Sequence, residues 1–110
     1  MKMYVLVNKD LDMSVGKTAG QVAHSVVDYL DNIKYEVEIQ ACHYWKDRCD
    51  QTKIILGVDT KTMKKYENHH LAYPVYDLGK TELEPHTLTC ICMGVISSDE
   101  ARFLKRYRLL

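Results

Sequence analysis

Residues 3–8 read MYVLVN, a run that is apolar on both of its alternating faces. A strand with one wet face alternates apolar and polar side chains. One that is apolar on both faces belongs in the middle of a sheet covered from either side. The rest of the chain must therefore supply neighbouring strands and two sets of covering helices. With 110 residues, all of this falls within one domain, residues 1–110. At this length folding buries only about 65% of the unfolded surface, so a stable monomer is possible and burial in a dimer would help.

The remaining segments match that demand. Residues 9–15 form a loop, and Gly16 opens a helix that runs to about Asn32. Residues 34–48 make a second, less regular helix around Trp45. Residues 53–58 (KIILGV) read as a strand. Asp59 or Thr60 caps a short helix that ends near Asn68. Residues 73–77 (YPVYD) start another strand, with Pro74 confined to its beginning or to an edge. Residues 88–95 (LTCICMGV) are a last strand. A C-terminal helix follows, capped by Ser97 or Ser98, with Asp99 and Glu100 at the positive end of its dipole. Helices between strands imply parallel pairs, and the short link before the last strand suits an antiparallel or looped-out pair. The expected architecture is α/β: a three-layer α/β/α domain with a four-stranded mixed sheet.

Fifteen basic residues balance fifteen acidic ones. A non-specific nucleic-acid binder normally carries a basic excess, so RNA contact would need local clusters. Lys61, Lys64 and Lys65 form one, and Arg102, Lys105, Arg106 and Arg108 another. The N-terminal apolar run is too short for a signal core and far too short to span a bilayer. The four cysteines read as reduced thiols of a cytoplasmic protein. Cys90 and Cys92, even with His69, His70 and His86, lack metal-site spacing and read as small buried hydrophobes. No metal is expected.

The first helix carries the chemistry. At 100° per residue with Lys17 at zero, Gln21 falls at about 40°, His24 at about 340° and Asp28 at about 20°. Ala19, Val22, Ala23, Val26 and Leu30 lie opposite and are expected to pack on the sheet, leaving the polar stripe facing away. A cation, an amide and an imidazole at a helix N-terminus suit an anionic ligand. Gly16 allows close approach of phosphate. A second polar cluster, Asp77, Lys80, Thr81 and Thr89, sits where one strand ends and the next begins, a usual ligand position in open α/β sheets.

Together these segments resemble the second class of peptidyl-tRNA hydrolases. The family's DL-x-M-x-x-GK-x-A-x-Q-x-x-H run is matched by Asp10, Leu11, Met13, Gly16, Lys17, Ala19, Gln21 and His24. Its W…GQ-x-K-[IV]-[IV] segment is matched by Trp45, Gln51, Lys53, Ile54 and Ile55, with Asp50 in place of Gly. Its DAGRTQ-x-x-PG-x-x-T segment is matched by Asp77, Gly79, Thr81, Pro85 and Thr89. Leu78, Lys80, Glu82 and His86 replace Ala, Arg, Gln and Gly there. The resemblance implies hydrolysis of the ester joining a peptide to the 3′ end of tRNA, without an organic cofactor, by a homodimer. It implies catalytic roles for Lys17, Asp77, Thr81 and Thr89, and substrate contacts from Gly16, Gln21, His24 and Lys80. Lys80 keeps the charge of the Arg it replaces but not its two-pronged grip on phosphate. Other readings are a catalytically weak relative that binds RNA or protein, and a hydrolase of small acyl-nucleotides.

Overall fold

The computed structural model describes residues 1–79 and 82–110. Strand β1 (Lys2–Asn8) is followed by a 3-10 turn (Lys9–Leu11), helix α1 (Val15–Asn32) and helix α2 (Glu36–Arg48). Then come β2 (Lys53–Val58), α3 (Thr60–Tyr66), β3 (Tyr73–Asp77), β4 (Thr87–Ile96), a 3-10 helix (Glu100–Leu104) and β5 (Arg108–Leu109). The sheet order is β3-β4-β1-β2-β5. Strand β1 is parallel to β2 and antiparallel to β4, and β3 pairs antiparallel with β4. The doubly apolar run thus lies at the centre of the sheet, and Pro74 lies in the edge strand β3.

Alternate β1 residues divide between two cores. Met3, Val5 and Val7 join Tyr29, Trp45 and Cys90 beneath α1 and α2. Tyr4 and Leu6 join Leu56, Met63, Tyr66 and Ile91 beneath α3 and the 3-10 helix. The buried Trp45 indole N–H donates to the Thr52 carbonyl at 2.8 Å, so its one polar atom is satisfied. No helix among the described residues is long and apolar enough to cross a membrane.

Three expectations need correction. The sheet has five strands, because Arg108 and Leu109 pair antiparallel with Gly57 and Leu56 of β2. The C-terminal helix is only a five-residue 3-10 turn. Its start is a reciprocal box in which the Glu100 N–H donates to Ser97 Oγ and the Ser97 N–H donates to Glu100 Oε1. Finally, α1 is rolled. Its buried residues are Ser25 and Tyr29, while Ala19 and Ala23 are exposed. The roll seats Tyr29 against β4, where its hydroxyl accepts the Val95 N–H at 3.1 Å and satisfies a buried donor. It also turns Lys17 and Gln21 inward, while His24 stays exposed and Val22, Val26 and Leu30 pack on the core as expected.

Candidate active site

The site begins at the N-terminus of α1. Ser14 caps the helix, its Oγ accepting the Lys17 N–H at 3.1 Å. The same hydroxyl donates to Glu82 Oε1 at 2.8 Å, and the Ser14 N–H donates to Glu82 Oε2 at 2.9 Å. A carboxylate from the loop between β3 and β4 therefore occupies the positive end of the α1 dipole. These hydrogen bonds hold the Glu82 carboxyl below its ordinary pKa.

One turn along, the Lys17 ammonium donates to Asp77 Oδ1. Both side chains are nearly covered, at 10% and 4% exposure, so water screens the pair little. The other Asp77 oxygen accepts the Gly79 N–H at 2.8 Å. Gly79 itself is left-handed (φ 76°), and a β-carbon there would lie 2.6 Å from Pro85 Cγ. The hydrogen bond from Lys17 comes first among the causes holding the Asp77 carboxyl below its usual pKa. The Gly79 N–H and the lysine charge add to it, against the opposing effect of burial.

Thr89 completes the arrangement through a defect in the sheet. Val75 pairs with Cys90 and Tyr76 with Leu88, so Thr89 is an extra residue in β4. Such a bulge re-aims a side chain that regular alternation would send elsewhere. Buried Thr89 donates to Gln21 Oε1 at 2.6 Å and lies 3.3 Å from the Val75 carbonyl. Next to it, Asn8 Nδ2 donates to the Leu88 carbonyl at 3.4 Å and to Thr60 Oγ1 at 3.1 Å. Asp10 Oδ2 accepts the Thr60 N–H at 2.9 Å, which fixes the start of α3 beside the site.

The structure thus brings Lys17 to Asp77 and Gln21 to Thr89. Gly16 is exposed, with open space where a β-carbon would sit. His24 is about half exposed and lies 3.6 Å from Asp28. Lys80 and Thr81 lie outside the described residues. The sequence reading missed the clamp of Ser14 on Glu82; its signal was Ser14 immediately before the apolar-periodic segment, a capping position. Among the described residues no group of three His, Cys, Asp or Glu could hold a metal ion. Burial pushes the Cys90 and Cys92 thiols up to about 12, so neither offers a thiolate at neutral pH.

Residues 1–110 match the family described as peptidyl-tRNA hydrolase PTH2. The chain belongs to the PTH2 family. It is 38% identical over 106 residues to a peptidyl-tRNA hydrolase of Sulfolobus acidocaldarius, covering 86% of each chain. It is 38% identical over 102 residues to one of Sulfurisphaera tokodaii, covering 84% of each. A peptidyl-tRNA hydrolase of Saccharolobus solfataricus is 34% identical over 106 residues, covering 86% of this chain and 85% of that protein. Membership gives a physical meaning to two departures from the PTH2 pattern. Asp50 and His86 stand where the pattern has Gly, and both adopt left-handed backbone, at φ 53° and 64°. Asp and His are among the side chains that tolerate this region best.

Proposed function

We propose that this PTH2 protein hydrolyses the ester between a peptide and the 3′ end of tRNA, releasing both. The observation that carries the reading is the shielded contact of Lys17 with Asp77 at the strand ends, beside the Gln21–Thr89 pair. Water adds to the ester carbonyl carbon, the bond from that carbon to the 3′ oxygen breaks, and the leaving oxygen takes a proton. Charge develops on the carbonyl oxygen, and the Lys17 ammonium is the group to stabilise it. Asp77 is a poor proton acceptor, because both of its oxygens are engaged and its pKa is depressed. Its role is to fix and polarise Lys17. Removal of the proton from water is assigned to His24, the imidazole on the same stripe. Thr81 and Lys80, adjacent in sequence to this cluster, contact the substrate.

Labelled peptidyl-tRNA incubated with the pure protein tests this. Peptide is expected to be released at catalytic enzyme concentration, with Thr89→Val and His24→Ala each slowing kcat by about tenfold or more. No release even at stoichiometric enzyme would leave the chain as an RNA- or protein-binding relative. Release from a short acyl-adenosine alone would make it a hydrolase of small acyl-nucleotides.

The same reading takes residues 1–110 as a single three-layer domain acting in the cytoplasm as a homodimer. The cores on both sheet faces support three layers. An apolar groove of about 1070 Å³ between α1 and the β2–β5 edge supports the dimer. It is lined by Val15, Ala19, Ala23, Val27, Ile55 and Leu110. Val15 is 88% exposed and Leu110 57%, so two apolar side chains at the groove are open to a partner. Sedimentation should give a dimer for the native chain and a monomer for Ala23→Glu, which places a charge in the groove.

A further inference from the structure

The two basic clusters of the sequence meet on one face. Tyr66 at the end of α3 and Tyr107 beyond the 3-10 helix are 41 residues apart, yet their hydroxyls lie 3.1 Å from each other. Lys65 Nζ sits 5.3 Å from the Tyr66 ring centre, and the Arg106 guanidinium 5.3 Å from that of Tyr107. Two cations from distant segments thus flank one tyrosine pair. Lys61, Lys64, Lys65, Arg102, Lys105 and Arg106 are all exposed. Lys64 is paired with Glu67 and Arg102 with Asp99. Among the described residues, no carboxylate is within ion-pairing distance of Lys61, Lys65, Lys105 or Arg106. In a chain of zero net charge this face therefore carries a local positive excess.

Two further features point to a nucleic acid rather than to another polyanion. Phe103, which packs on Tyr66 at 5.6 Å, carries His69 stacked at 5.1 Å and 16°, and His70 stacks on His69 at 4.4 Å and 26°. The ladder ends on the exposed His70 ring, a platform of the kind on which bases stack. The face also starts at the candidate site, since Asn8 links Leu88, the neighbour of Thr89, to Thr60 at the first turn of α3. The first turn of α3, with Lys61 next to Thr60, therefore lies on the side of the strand-end site.

We propose that the surface formed by α3 and the Glu100–Leu104 turn docks the body of the tRNA, with Lys61, Lys65, Lys105 and Arg106 against its phosphates and His70 against an unstacked base. This rests on the reading that the substrate is a tRNA. It adds a second contact region outside the site that holds the 3′ end.

The test is the affinity of deacylated full-length tRNA, and of a short oligonucleotide ending in CCA, for the native chain, for Lys65→Glu/Arg106→Glu and for Lys61→Ala/Lys105→Ala. The second variant touches neither tyrosine ring and guards against a folding defect in the first. The tRNA Kd is expected to weaken at least about tenfold for the charge reversal and less for the alanine pair. The slope of log affinity against log salt should fall by about one per contact removed. Binding of the short oligonucleotide should change by less than about twofold, because it reaches only the catalytic end. Unchanged tRNA affinity in both variants overturns the proposal, as does an equal loss on tRNA and oligonucleotide. So do variants that lose binding to phosphatidylserine vesicles while keeping tRNA. Binding of deacylated tRNA involves no turnover, so this result stands apart from whether the ester is cleaved.

Discussion

Lys17→Met is expected to lower kcat/KM on peptidyl-tRNA by at least about 10²-fold, in the range seen when a positioned electrophile is removed, and to lower the melting temperature as well. The two losses have different causes. The stability loss arises because the nearly covered Asp77 carboxylate keeps the Gly79 N–H but loses the ammonium it was folded against. Asp77→Asn alone strands the lysine charge in the same way. Combining Lys17→Met with Asp77→Asn removes both charges, and the new amide oxygen can still accept from Gly79. The double variant should regain most of the lost thermal stability and none of the activity. Recovery of activity along with stability would show that the pair is structural only.

The pH dependence follows from the depressed Asp77 pKa. A carboxyl with a folded pKa below its unfolded value stabilises the protein above the unfolded value, about 3.9, and loses that contribution as pH falls through the folded one. The native melting temperature should therefore drop below about pH 4, and the deficit of Lys17→Met relative to the native chain should shrink there. Asp59 and Glu82 are depressed as well, by hydrogen bonds from Thr62 and Ser14, so Asp77→Asn should reduce the acid loss without removing it.

What the sequence made legible follows the range of the interactions involved. The centre of the sheet was readable because Met3 to Asn8 are all buried, so the local pattern and the tertiary environment agree. The cap at Asp59 was readable to within one residue because its partner Thr62 lies three residues away. Strand β5 was not, because two residues have no period and their pairing depends on Gly57 letting Leu110 close in. The roll of α1 was hidden for a related reason. Periodicity ranks Ala19 and Ala23 above Tyr29 and Ser25 as core candidates, whereas β4 calls for a hydroxyl to accept from Val95. At the site, the residue types came from pattern and resemblance, and their mutual contacts did not. Gln21 meets Thr89 only because β4 carries an extra residue there, and Ser14 meets Glu82 across 68 residues of chain.

Gly94→Ala is expected to destabilise the protein by about 3 kcal/mol, combining about 1–2 kcal/mol for a side chain in left-handed backbone with a similar overpacking penalty. The residue sits at φ 82°, and a β-carbon would lie 2.7 Å from Tyr29 Cε1 and 3.0 Å from Cζ. The ring has little room to yield. Its hydroxyl is engaged by Val95, the next residue along, and its edge packs on Tyr73 at 5.2 Å and 76°. Urea denaturation measures the effect, with Gly20→Ala as the contrasting case. Gly20 lies inside α1 with nothing within 4 Å of the new carbon, so there the same substitution should stabilise by about 0.5–1 kcal/mol. A domain of this size has only about 5–15 kcal/mol to lose, so the first change takes a large share. Shrinking the ring will not rescue it. Tyr29→Leu in the Gly94→Ala background clears the clash, but it leaves the buried Val95 N–H without its acceptor, which costs about 1–3 kcal/mol. The glycine, the tyrosine and the roll of α1 that presents Lys17 and Gln21 to the strand ends are thus one interlocked choice.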